Sequence, residues 1–154
     1  MKNPAQPRIG ATLLAATLLG IGFMAAIDEI IFHQVLGWHH FVETDSSALA
    51  LASDGLLHTL ELVFLVIGAA IMLRLNETGE RAKGYRSAGF LLGMGGFQLF
   101  DGIVIHKIFG LHQIRYVADL LFYDLAWNAT GLLLLLIGYG LLRRAKRDLA
   151  LNQQ

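Results

Sequence analysis

Long apolar stretches dominate the pattern of hydrophobic and polar positions in this chain. Four of them, at about 9–36, 54–75, 85–109 and 118–143, are each long enough to cross roughly 30 Å of hydrocarbon as an α-helix. The ~10-residue alternating segments that a membrane β-barrel needs do not occur in the sequence. The pattern therefore predicts an all-α integral membrane protein, a four-helix bundle formed as a single transmembrane domain over residues 1–154.

Composition agrees with a membrane location. Hydrophobic residues make up 55% of the chain and charged residues 16%, the formal net charge is zero, and the mean hydropathy is +0.56. Such a chain is too apolar for an ordinary soluble domain. The expected partner is the lipid bilayer, a homo-oligomer is compatible with so small a bundle, and we expect no nucleic-acid partner.

The basic residues predict the orientation. Only Lys107 and Arg115 lie near one set of helix ends. The other ends carry all the remaining lysines and arginines, namely Lys2, Arg8, Arg74, Arg81, Lys83, Arg86, Arg143, Arg144, Lys146 and Arg147. By the positive-inside rule both termini are cytoplasmic, and the loops at 37–53 and 110–117 face outward. All six histidines then fall in the outer half of the protein.

A motif occurs twice. The segment "MAAIDEIIFHQVLGWHH" matches "FQLFDGIVIHKIFGLHQ" through the pattern D-x4-H-x3-G-x-H, and "SDGLLHTLE" matches "YDLAWNATG" more weakly. The matched pairs are Asp28 with Asp101, His33 with His106, Gly37 with Gly110, His39 with His112, Asp54 with Asp124 and His58 with Asn128. The repetition predicts two helical hairpins, at about 9–75 and 85–143, related by a pseudo-two-fold axis along the membrane normal.

The ionisable residues of these motifs are costly inside a bilayer, at least ~2.5–3.5 kcal/mol per charge, and such residues normally mark function. Asp54, His58 and Glu61 share one face of an α-helix. Asp28 and His33 would point roughly 140° apart on an α-helix, so we expect them not to bind the same ion.

Nitrogen and oxygen ligands without cysteine suit iron, copper, zinc or manganese, and helical bundles can build mono- or dinuclear sites from them. We predict a transition-metal centre in the outer half of the bundle, used in redox or metal-dependent catalysis. The predicted ligands are His33, His58 and His106, with Glu61, Asp54 and Asp124 as carboxylate partners and with His39 and His112 as further ligands or proton relays. Residues predicted to orient ligands through hydrogen bonds are Asp28, Asp101, Glu29 and Asn128.

Other interpretations stay open. A haem b electron-transfer protein would use His33 and His106 as axial ligands. A zinc-dependent membrane hydrolase would activate a zinc-bound water, with an acid such as Asp54 as base. A transporter is the least favoured alternative, because the predicted inner halves of the helices hold almost no polar residues. Any single histidine could also simply bond a neighbouring helix, but six histidines on one side favour a shared site.

The combination of "FHQVLGWHH", "SDGLLH", "DGIVIHKIFGLHQIR" and "YDLAWNATG" resembles a bacterial family of four-span membrane proteins of unknown function, over nearly the whole chain. The positions that carry the resemblance are His33, Trp38, His39, His40, Asp54, Gly55, His58, His106, Gly110, His112, Arg115 and Asp124. The resemblance implies a shared site in a bacterial cytoplasmic membrane but no established reaction. A link of this family with respiratory oxidases implies redox chemistry and a respiratory-chain partner.

Overall fold

The computed structural model describes residues 5–151, and this part of the chain is helical without strands. Its elements are α1 (Ile9–Ile27), a π-helical segment π1 (Asp28–Val35), α2 (Ser47–Glu77), α3 (Tyr85–Leu99), a second π-helical segment π2 (Phe100–Phe109) and α4 (Leu121–Leu151). The π segments continue α1 and α3 without a break, so the chain has four helices long and apolar enough to cross a membrane. The prediction of an all-α protein with four spans is confirmed.

Two helices extend beyond the predicted spans. α2 begins at Ser47, where the Ser46 hydroxyl accepts a hydrogen bond from the Leu49 amide at 3.5 Å, and α4 runs from Leu121 to Leu151 rather than over 118–143. Hydropathy locates only the residues that hydrocarbon can cover, whereas a helix can continue into the polar interface as long as its backbone bonds are satisfied. At these polar ends the helices are therefore longer than the predicted apolar stretches.

The helices pack in the order α2, α1, α3, α4. α1 and α3 form the central pair, α2 packs on α1 and α4 packs on α3, while α2 and α4 do not pack on each other in the described range. Small residues allow the central contact, because a Cβ on Gly20 would overlap the Phe90 carbonyl oxygen and one on Gly93 would overlap that of Thr17. Such glycine contacts are typical of membrane helix pairs.

The two ends of the bundle differ in character. At one end, the Arg8 amide donates to the Glu80 carbonyl at 2.7 Å, and Ala82, Tyr85 and Ala145 form a small buried cluster. This end gathers the start of α1, the α2–α3 turn and the late part of α4. The opposite end is formed by π1, π2 and the loops at 36–46 and 110–120, which are joined by a hydrogen bond from the Glu43 amide to the Leu111 carbonyl at 3.0 Å.

Candidate metal centre

The two π-helical segments place an aspartate beside a histidine in each half of the protein. In π1, Asp28 Oδ2 lies 3.9 Å from His33 Nε2, and in π2, Asp101 Oδ2 lies 3.0 Å from His106 Nε2. The expectation that residues five apart point in different directions assumed an α-helix and is wrong here. A π-helix bonds residue i to residue i+5, which brings these side chains to the same side, and π turns are frequent at functional sites.

Four imidazole rings meet where the halves join. His33 and His39 have ring centroids 4.3 Å apart at 69°, and His106 and His112 repeat this arrangement at 4.6 Å and 72°. The two pairs touch through the stacked rings of His39 and His112, with centroids 4.4 Å apart and planes within 8°. All four histidines are buried, with 1–3% of their surface exposed. The two motif copies thus contribute equally to one histidine cluster.

The two loops hold each other's histidine in place. Gly37 and Gly110 adopt left-handed φ angles of 57° and 60°, which ends each helix and turns the chain back over the bundle. His39 Nδ1 then donates to the Ile114 carbonyl at 2.9 Å, and His112 Nδ1 donates to the Phe41 carbonyl at 2.8 Å. A carbonyl only accepts, so both rings carry their proton on Nδ1 and present an Nε2 lone pair.

Both loop histidines are also neutral at physiological pH. Burial lowers the pKa of His39 to about 2 and the pKa of His112 to about 4. A metal ion binds the neutral imidazole, so these two rings are already in the form that a ligand requires.

One group of potential ligand atoms belongs to Asp101, His106 and His112. His106 Nε2 lies 2.9 Å from His112 Nε2 and 3.0 Å from Asp101 Oδ2, while His112 Nε2 lies 3.7 Å from Asp101 Oδ1. Two ligand atoms that each stand 2.0–2.2 Å from one ion are roughly 2.8–3.1 Å apart at a right angle and roughly 3.3–3.6 Å apart at a tetrahedral angle. These three side chains could hold a metal ion.

His33 belongs to two further groups. In the first, His33 Nδ1 lies 2.9 Å from Glu29 Oε2 and 3.0 Å from Asp54 Oδ1. In the second, ligand atoms of His33, His39 and His112 lie within 4.8 Å of one another. The Nε2 atoms of His33 and His39 are buried and have no hydrogen-bond partner. Both groups could also hold a metal ion.

A layer of polar contacts supports the carboxylates around His33. The Phe41 amide donates to Asp54 Oδ1 at 2.7 Å, His40 Nδ1 lies 2.6 Å from Asp54 Oδ2, and Gln34 Nε2 donates to Glu29 Oε1 at 2.8 Å. Such outer partners fix the orientation of ligands at metal sites. Sequence reasoning did not identify His40, because only the folded loop shows that it reaches a carboxylate on α2.

Several predicted site residues lie in other contacts. His58 Nδ1 lies 2.6 Å from Glu61 Oε1, and the His58 side chain is 42% exposed. Asp124 forms an ion pair with Lys107 at 2.7 Å, and Asn128 Nδ2 donates to the Asp124 carbonyl at 2.8 Å. Within residues 5–151, none of these side chains joins the three groups described above. Asp101 was predicted to orient a ligand through a hydrogen bond, whereas its carboxylate lies among the potential ligand atoms.

The chain matches a known protein family. Residues 15–145 match the profile of a family described as "Predicted membrane protein (DUF2243)". The chain belongs to this family. The match includes α2 and α3, most of α1 and α4, and every residue of the histidine cluster, and it confirms the resemblance to membrane proteins of unknown function. The curated proteins and the solved structures contain no match to the chain.

Proposed function

We propose that this protein is a membrane metalloprotein that binds a transition-metal ion between its two halves. Asp101, His106 and His112 supply the central ligands, and Nε2 of His33 or His39 completes the coordination. The observation that carries the proposal is the approach of His106 Nε2 to within 2.9 Å of His112 Nε2 and 3.0 Å of Asp101 Oδ2. These are the separations of atoms that share one ion.

Hydrogen bonding alone explains this cluster poorly. His112 Nε2 is an acceptor because Nδ1 holds the proton, and Asp101 offers acceptors as well, so a single Nε2 proton on His106 cannot serve both. Asp101 Oδ2 is buried without a hydrogen-bond partner. A buried polar atom of this kind costs about 1–3 kcal/mol. A bound cation would satisfy the lone pairs that converge here.

The donor set favours iron, copper or zinc, because it combines imidazole nitrogens with carboxylate oxygens and lacks sulfur. Iron or copper would support electron transfer or redox catalysis, and zinc would activate a water molecule for hydrolysis. A haem between His33 and His106 finds less support, because His39 packs 4.3 Å from His33 and His112 packs 4.6 Å from His106. The stacked rings occupy the place where a macrocycle would need space.

The proposal includes a location. The cluster lies at the bundle end away from most of the basic residues, with only Lys107 and Arg115 near it, so both termini are cytoplasmic and the centre lies in the outer half of a bacterial cytoplasmic membrane. The matching geometry of the two motifs further supports two copies of one hairpin as the origin of the fold. A respiratory-chain partner and a homo-oligomer belong to the same proposal, the former on the family resemblance alone.

Metal analysis of the purified full-length protein tests the proposal. We expect at least one iron, copper or zinc ion per chain by elemental analysis, with loss of this ion in His106→Ala and in His112→Ala. Glu77→Gln, at an exposed site on the opposite end of α2, is the control and should keep the ion. A wild-type protein without stoichiometric metal would overturn the proposal, and a Soret band would replace it with the haem alternative.

A further inference from the structure

We infer that a second metal ion binds beside the first, between Glu29, Asp54 and Nδ1 of His33, so that the His33 ring bridges two ions. This inference rests on the proposed function, because it takes the ion near Asp101, His106 and His112 as the first of the pair. It concerns the opposite side of His33, where the ring faces carboxylates rather than histidines.

Two carboxylate oxygens, both hydrogen-bond acceptors, lie close to Nδ1 of His33. Glu29 Oε2 lies at 2.9 Å and Asp54 Oδ1 lies at 3.0 Å, yet Nδ1 carries one proton at most. Glu29 is 0% exposed, and its Oε2 has no hydrogen-bond partner. A cation at this position would take Oε2 as a ligand together with Nδ1 and an oxygen of Asp54.

The other oxygens of the two carboxylates are already held. Gln34 Nε2 donates to Glu29 Oε1 at 2.8 Å, and the half-exposed His40 contacts Asp54 Oδ2 at 2.6 Å through Nδ1. Each carboxylate is therefore fixed on its outer side, with its remaining oxygen beside His33. Asp54 Oδ1 also accepts from the Phe41 amide at 2.7 Å, which leaves it a second lone pair for a cation. This arrangement is typical of ligands that are oriented by outer hydrogen bonds.

The balance of charge also favours more than one cation when these buried carboxylates are ionised. Four carboxylates around the cluster, those of Asp28, Glu29, Asp54 and Asp101, are between 0% and 3% exposed. The lysine and arginine ion pairs of the described residues involve Glu80, Asp124 and Asp148 instead. Buried charges without a counter-charge are strongly destabilising. One divalent ion offsets two of the four negative charges, and a second ion offsets the other two.

A bridging role changes the protonation of His33. In the inferred arrangement its Nε2, which is buried without a hydrogen-bond partner, binds the first ion, and its Nδ1 binds the second. When both nitrogens are bound to metal, the ring has lost its last N–H proton, and this proton is released to water as the second ion binds. Four ionised carboxylates, two divalent ions and the imidazolate together carry one net negative charge. Four carboxylates with a single divalent ion would carry two.

Metal stoichiometry and electron paramagnetic resonance (EPR) test this inference on the full-length protein. After loading with Zn²⁺ and removal of excess metal, we expect two ions per chain in the wild type and one in Glu29→Gln and in Asp54→Asn. Glu77→Gln is the matched control and should keep two. After loading with Cu²⁺, the wild type should show an EPR signal well below that of two isolated ions, because an imidazolate couples their spins. Glu29→Gln should show the full signal of one ion.

The outcomes separate this inference from the proposed function. No bound metal in the wild type would overturn both. One ion in the wild type and one in Glu29→Gln would overturn only the second site. Two ions in Glu29→Gln and in Asp54→Asn would also overturn it, since the second ion would then lie elsewhere. Two uncoupled Cu²⁺ ions in the wild type would overturn the bridging role of His33.

Discussion

His39 and His112 stack face to face at 4.4 Å, and each donates from Nδ1 to a backbone carbonyl in the other's loop. The exchange is symmetric, because His39 bonds the residue two positions after His112 and His112 bonds the residue two positions after His39. Each ring therefore depends on both loops for its tautomer and its orientation. These contacts, which involve no metal, would preorganise the site for the proposed ion.

Replacing one of these rings should loosen both loops. In His112→Phe, the Phe41 carbonyl loses its partner, at a cost of about 1–3 kcal/mol. We expect the Glu43 amide, which bonds the Leu111 carbonyl across the loops, to exchange hydrogen roughly tenfold faster. Hydrogen exchange measured with a chelator present removes any effect of metal loss. His58→Phe is the control, and equal exchange rates in both variants would contradict the interpretation.

The central helix contact should be sensitive to a single methyl group. In Gly93→Ala, the new Cβ would overlap the backbone carbonyl of Thr17, which cannot move without separating α1 from α3. We expect a loss of about 1–3 kcal/mol in the free energy of unfolding and a lower Tm in detergent. The matched variant Gly96→Ala meets no atom within 4 Å and should leave Tm unchanged. A similar Tm for both variants would exclude close packing at Gly93.

Two alternative ligand sets can be separated by one pair of variants. The sequence predicts His58 as a ligand, whereas the structure places it beside Glu61 with 42% of its side chain exposed. If the ions lie in the histidine cluster, His58→Ala should retain the metal content of the wild type and His106→Ala should lose at least one ion. Loss of metal from His58→Ala alone would instead support the set that includes Glu61. Elemental analysis of both proteins decides between them.

The orientation in the membrane is accessible to labelling because the chain has no cysteine. A membrane-impermeant maleimide applied to intact bacterial cells should label Ser46→Cys, which lies beside the histidine loops. Lys83→Cys, in the turn between α2 and α3, should react only after the membrane is opened. The reverse pattern would place the metal centre on the cytoplasmic side.

Much of the fold could be predicted, because a bilayer restricts the possible structures. The four helices followed from the length of the apolar stretches alone. Glycines such as Gly20 and Gly93 allow the helices to pack closely. The helix ends were less predictable. α2 begins at Ser47, before its apolar stretch, where hydropathy carries no signal and the local cap at Ser46 determines where the helix starts.

The site was harder to predict because its geometry depends on an uncommon backbone. Counting residues on an α-helix separates Asp101 from His106, and only the π-helical turn brings them to 3.0 Å. The residues around Phe100 carry no sequence signal for a π-helical turn. The motif itself was informative, since it identified His33, His39, His106 and His112 as equivalent pairs. The contacts of His40 and Lys107 depend on loop paths that spacing does not encode.

The exchange between the two loops has a consequence for how the protein is made. The carbonyl that orients His39 belongs to Ile114, and the α1 surface at Gly20 finds its partner only in α3. A nascent chain that has inserted only its first two spans contains His33, Glu29 and Asp54 but lacks Asp101, His106 and His112. Because chains emerge from the ribosome N-terminus first, incorporation of the proposed ion at those three residues would be a late event in biogenesis, after the second hairpin has entered the membrane.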